Sequence, residues 1–201
     1  MAVQSAVLVF LWLLVLARTA VIPDECRIIE LIDRKLQYEN RVMYMSDYFP
    51  IDYQLPVKYE EILQCQNISS LQISEGITVD ELRFLWGIVS ENVLQSIWRV
   101  LPQRHPSRSY IDDLQNIFNK LHAGSKLEPS DVINDILERL WLPGGKVKSV
   151  APRNLLDDCW RVLHALYQES CDLCVPRTAP EETLCPNGTV PGLSPAQRPS
   201  C

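Results

Sequence analysis

Apolar residues recur at helical spacing through the middle of the chain. Leu82, Leu85, Trp86, Val89, Val93, Ile97 and Val100 make one stripe. It opens on Thr78-Val79-Asp80-Glu81, where a Thr hydroxyl and a Glu side chain satisfy the free N–H groups of a helix start. Pro102 and Pro106 end it. A second stripe, Ile111, Leu114, Phe118 and Leu121, begins near Ser107 or Ser109 and stops at Gly124. A shorter one follows Ser130 with Ile133, Ile136, Leu137, Leu140 and Trp141, and Pro143-Gly144-Gly145 halts it. The last starts near Pro152 and carries Leu155, Cys159, Val162, Leu163 and Leu166. A first helix is predicted between Asp24 and Tyr48. On a wheel of roughly 100° per residue it has two stripes. Ile29, Ile32, Leu36 and Met43 form one; Leu31, Tyr38, Val42, Met45 and Phe49 lie nearly opposite.

Two long connections, residues 50–77 and 123–151, join the long helices, and 50–77 is read as non-helical. Each holds a short alternating piece, "IDYQLPVKY" and "KVKSV". Long connections let the joined helices run parallel, so the expected fold is all-α: a short-chain four-helix bundle, up-up-down-down. The two alternating pieces are expected to pair as a small β-ribbon, with Pro56 restricting its strand to an edge. In this order the start of the first helix and the end of the last share a pole. Cys26 and Cys171 sit at those ends, so they are predicted to be bonded.

Composition adds the compartment. "AVLVFLWLLVLA" is short for a membrane span and precedes small residues, the pattern of a secretory signal over 1–20; cleavage after Ala17 and after Ala20 both fit. Seven cysteines then read as disulfides, and Asn67-Ile68-Ser69 and Asn187-Gly188-Thr189 as glycosylation sequons. Cys174 and Cys185 are close enough to clip the start of a tail. A buried thiol and a bond to Cys65 fit Cys159 equally, and Cys201 stays open. Prolines recur over 175–201, an extended or disordered tail, which leaves 21–174 as one domain. The net charge of -6 argues against nucleic acid or an anionic membrane as main partner, and no later segment is fit for membrane insertion.

Catalytic patterns are scarce. "GGKVKS" lacks the glycine spacing of a phosphate loop, and His105, His122 and His164 are scattered, read as surface or helix-end residues. Asp112-Asp113 and Asp157-Asp158 do not converge, because adjacent helix positions diverge by about 100°. No cofactor or metal is expected, and Cys171-x-x-Cys174 is read as structural. A binding protein is the better reading than an enzyme. A lipid carrier is the alternative, although the bulky stripes favour a closed core.

"DRKLQYENRVMYMSDYFPIDYQLPVKYE", "NIS", "ELRFLWGIVS", "HPSRSY" and "PRNLLDDCWRVLHALY" resemble the interleukin-34 family. The resemblance runs from about Cys26 to Cys174; Cys65 and the cysteine spacing after Tyr167 depart from it. It implies a secreted cytokine that, as a non-covalent homodimer, brings together two macrophage colony-stimulating factor receptors. Helix geometry places Phe84, Ile88 and Trp98 off the core stripe. The expected receptor face is Trp98, Gln103, Arg104, Tyr110, Asp113, Gln115 and Asn116. The dimer contact is expected at Tyr48, Phe49 and Tyr53, next to the second stripe of the first helix. Aspartates at Tyr38 and Met45 test that stripe: a destabilised or monomeric product is expected, and a stable dimer makes it ordinary surface.

Overall fold

The computed structural model describes residues 24–59, 63–124 and 127–173, with the backbone of 175–176 and 183–184. The apolar stripes become helices. The helices are α1 (Asp24–Lys35), α2 (Tyr38–Val42), α3 (Cys65–Glu75), α4 (Val79–Val100), α5 (Ser107–Gly124), α6 (Asp131–Trp141) and α7 (Pro152–Cys171). The Thr78–Glu81 capping box forms at the start of α4, with the Thr78 N–H donating to Glu81 at 3.0 Å. The Ser130 N–H donates to the other Glu81 oxygen at 3.1 Å, so one carboxylate ties the start of α4 to the start of α6.

Long-range contacts fix the topology. Tyr110, at the start of α5, donates its hydroxyl to the carbonyl of Lys35 at the end of α1. Arg83, in the first turns of α4, donates to Leu166 O late in α7. Gln115 on α5 donates to Gln95 on α4 at 2.9 Å. Thus α1 and α4 run one way while α5 and α7 run the other, the up-up-down-down order. The crossovers meet as predicted: β1 (Leu55–Lys58) pairs antiparallel with β2 (Val147–Val150), and Pro56 stands opposite Ser149. A two-stranded ribbon is all edge, so it tolerates a residue with no N–H. Leu55 and Val57 bury beneath the ribbon. At the core, Trp86 packs 5.2 Å from Phe118 and 5.6 Å from Tyr167, ring to ring, and its N–H donates to Cys159 O.

Cys26 and Cys171 are bonded, closing 145 residues of chain into a loop. Cys159 is free and buried, which removes its bond to Cys65 from the two alternatives. Burial pushes its thiol up to about 12, so it stays protonated and unreactive. Cys65 is disulfide-bonded. The Cys174–Cys185 clip, Cys201, Asn187 and the 1–20 signal lie outside the described residues. Within the expected tail, β3 (Val175–Pro176) pairs antiparallel with β4 (Thr183–Leu184). Among the described residues no helix is long and apolar enough to cross a membrane.

Three sequence expectations need correction. First, residues 50–77 are not free of helix: α3 lies there. Of its residues only Ile68 is fully buried, so it has no stripe to read, and its start is capped by an uncommon pair, Gln64 N–H on Asn67 Oδ1 at 3.0 Å. Second, the first helix is not continuous. It breaks at Gln37, whose ψ of 153° is extended, and α2 then runs into a π-helical turn, Met43–Asp47. A uniform wheel does not survive a break and a widened turn. The second stripe therefore splits: Leu31 and Tyr38 are exposed, whereas Met45 is only 2% exposed. Tyr38 and Met45 do not share a face, so paired aspartates there would unfold the core at Met45 rather than report on a surface. Third, His164 is buried rather than a surface or helix-end residue.

Replacing Cys26 and Cys171 with alanine should lower unfolding free energy by about 2–4 kcal/mol in urea titration, with helical circular dichroism retained. Unchanged stability would mean the pole is held by packing alone.

Candidate interaction surface

At the pole opposite the disulfide the chain gathers aromatic rings. The Tyr44 ring stacks on Tyr110 at 4.3 Å and 8°. Tyr48 meets Tyr44 edge-on at 5.9 Å, and Phe49 lies 5.2 Å from both Tyr53 and His105. The turn after Pro50 is closed by the Tyr53 N–H on Pro50 O at 2.9 Å, and it thrusts Ile51 fully into solvent. Tyr48 is 42% exposed, while Phe49 and Tyr53 are half-buried. Together these side chains make a partly exposed apolar tip on a fixed base.

The base is fixed from two sides. Two bonds tie the π-turn segment to the start of α5: Ser107 Oγ donates to Tyr44 O at 2.6 Å, and His105 Nε2 bonds Tyr48 O at 3.0 Å. From the other side comes a buried polar seam between α1, α2 and α7. Asp33 accepts from Trp160 Nε1 at 2.9 Å and from His164 Nε2 at 2.8 Å through one oxygen, and from Gln37 Nε2 at 3.2 Å through the other. Arg41 pairs with Asp157 at 2.6 Å and lies over the Trp160 ring. Arg41 also donates to Leu36 O, and Asn40 Nδ2 donates to Arg34 O and Lys35 O. These side chains, with Tyr110, occupy the carbonyls that a helix end leaves without partners. That is why the helix can stop at Lys35 and restart at Tyr38, after a gap of two residues.

The seven expected receptor-face residues divide. Gln103 and Arg104 are exposed on the turn between α4 and α5. Trp98 is half-buried and locked: its N–H donates to Asp112 at 2.6 Å and the Arg108 guanidinium covers its ring at 4.0 Å. Asp113 pairs with Lys35 at 2.6 Å, an exposed contact of the kind worth at most about 1 kcal/mol. Gln115 bonds Gln95, and Asn116 is exposed. Tyr110 departs from the expectation. It is 4% exposed, because one helical turn separates it from Leu114 on the inward side of α5. Burial holds its phenol well above the usual range, so the hydroxyl remains a donor to Lys35 O. It supports the surface from beneath. The dimer residues and the Gln103–Arg104 turn are neighbours, joined through His105. Sequence reading missed Tyr44, Ser107 and Arg108; the "HPS" before a helix start was the available signal.

Asn67 is exposed in the first turn of α3, with its Oδ1 occupied by the Gln64 N–H. Among the described residues no group of three His, Cys, Asp or Glu side chains is arranged to hold a metal ion.

Tyr110→Phe should cost about 1 kcal/mol in urea unfolding, since Lys35 O keeps its Asn40 partner, whereas Asn116→Ala should change stability by no more than about 0.5 kcal/mol. Equal effects would contradict the buried placement of Tyr110.

A family model described as Interleukin 34 matches residues 19–174 of the chain.

Proposed function

From the chain's membership of the interleukin 34 family, a cytokine family and not an enzyme class, we propose that it is a secreted ligand that acts as a non-covalent homodimer. On this reading it binds the macrophage colony-stimulating factor receptor, a receptor tyrosine kinase. It thereby promotes survival, proliferation and differentiation of monocytes and macrophages. Residues 1–20 serve as the signal peptide, 21–174 as the cytokine domain and 175–201 as a tail. Asn67 and Asn187 are the proposed glycan carriers.

The observation that supports the reading best is the aromatic tip at one pole of the bundle. Tyr48, Phe49 and Tyr53 would form the centre of the two-fold contact, where each copy presents the same patch to the other. Trp98, Gln103, Arg104, Asp113, Gln115 and Asn116 would form the receptor face beside it. Of these, Trp98 and Arg104 are the residue types that dominate binding energy at interfaces. The mechanism is geometric. Two receptor sites on one dimer hold two kinase domains at a high effective concentration. The bundle centre is filled by Trp86, Phe118 and Tyr167, which favours a surface ligand over a carrier of lipid. A different receptor for the same bundle is the other reading, and a binding assay separates the two.

Purified protein mixed with the receptor ectodomain should give a 2:2 complex by light scattering. The Trp98→Ala, Arg104→Ala double variant should bind at least about tenfold more weakly, as loss of two anchors implies. Its melting temperature should fall only by what the buried edge of Trp98 contributes. Wild-type affinity in that variant would remove this face from the site, and no complex with the parent would remove the receptor assignment.

A further inference from the structure

His105 joins two segments through both ring nitrogens. The Ser107 N–H points at Nδ1 at 3.2 Å, and Nε2 lies 3.0 Å from Tyr48 O. A backbone N–H only donates and a carbonyl only accepts. Nδ1 must therefore be a bare acceptor and Nε2 must carry the hydrogen. The two contacts together require the neutral imidazole in a single tautomer. The Phe49 ring against the imidazole completes the contact.

A second proton has only Nδ1 to go to. There it would face the Ser107 N–H, donor against donor, at the first amide of α5. The added positive charge would also sit at the positive end of the helix dipole. The surrounding charges do not offset this from one side. Arg104 and Arg108 lie on its own loop and on α5, and Asp47 and Asp52 lie on the segment it grips, with the phenols of Tyr44, Tyr48 and Tyr53. Arg108 is committed to Leu101 O and the Trp98 ring, and Asp47 and Asp52 are exposed.

We infer that His105 is a proton-sensitive positioning residue: neutral, its Nδ1 takes the first amide of α5 while Nε2–H holds Tyr48 O, and protonated, it keeps Tyr48 O but releases that amide, loosening the α5 start on which the Tyr48–Tyr53 tip stands. The sign follows from the contacts. Both contacts are made when the imidazole is neutral, and the one to Ser107 is lost when Nδ1 takes a proton. The consequence for assembly rests on the dimer reading above: at acidic pH the proposed self-association surface would stand on a loosened base and pair more weakly. The clip itself does not rest on that reading.

Hydrogen exchange on the parent chain tests it. Between pH ~7.5 and ~5.5 the protection factor of the Ser107 amide should fall about tenfold, and those of Phe49 and Tyr53 should fall with it. In His105→Asn, which keeps an acceptor and gains no proton, Ser107 protection should be flat over the same range. Flat protection in the parent, or an equal fall in His105→Asn, would overturn the inference. Sedimentation at the two pH values separates the two claims. A parent dimer that weakens in step with Ser107 supports both. A chain monomeric at both values, with Ser107 still losing protection, supports the clip and removes the dimer.

Discussion

The architecture turns on a charged seam buried where a bundle core would ordinarily be apolar. Asp33, Arg41, Asp157 and His164 lie between α1–α2 and α7, and the Trp160 N–H bonds into the same group. Buried charges are costly unless paired, and breaking one partner leaves the other exposed to that cost. Such a seam adds little net stability over a well-packed apolar one, but it leaves few alternative registers. Asp33 accepts three side-chain donors, and Arg41 reaches Asp157, the Trp160 face and the Leu36 carbonyl. Sliding α7 by a turn would strand these groups together. The seam thus sets where α1 ends, and the end of α1 sets where the aromatic tip begins.

The disulfide and the seam divide the work along α7. Cys171 closes the pole where α1 begins, and the chain-entropy argument assigns most of its effect to the unfolded state. Asp157 and Trp160 act nearer the other pole, on the folded geometry itself. One pole is therefore closed covalently, and the other is held by directional contacts that leave its outer rings uncovered. The result is an asymmetric bundle, a rigid scaffold with an apolar surface that does not collapse onto it.

Much of this was legible along the chain. Twenty-two residues of α4 carry an uninterrupted stripe and a Thr–Glu cap, both local signals. Long crossovers implied the helix directions, and those directions implied the Cys26–Cys171 bond and the ribbon. What could not be read depended on partners distant in sequence. The break at Gln37 is held by Tyr110, 75 residues along the chain from the Lys35 carbonyl it bonds, and no local pattern announces that. Helix α3 has no apolar stripe because one buried isoleucine and a polar cap suffice where a disulfide at Cys65 also holds it. Tyr110 and His164 look polar enough for the surface in sequence; Lys35 O and Asp33 bury them. At the candidate site the tip and the Gln103–Arg104 turn were visible, while the hydrogen bonds joining them were not.

The central claim is that the buried seam positions the aromatic tip, the proposed self-association surface. Sedimentation equilibrium of Arg41→Met beside the parent chain tests it most directly. Arg41 lies beneath the surface, away from Tyr48, Phe49 and Tyr53, so it has no direct part in the contact. The account predicts a dimeric parent and a variant that stays helical by circular dichroism while its dimer dissociates at least about tenfold more readily, the scale of a 1.4 kcal/mol loss. A helical variant that dimerises as tightly as the parent, or a parent that is monomeric, would contradict it.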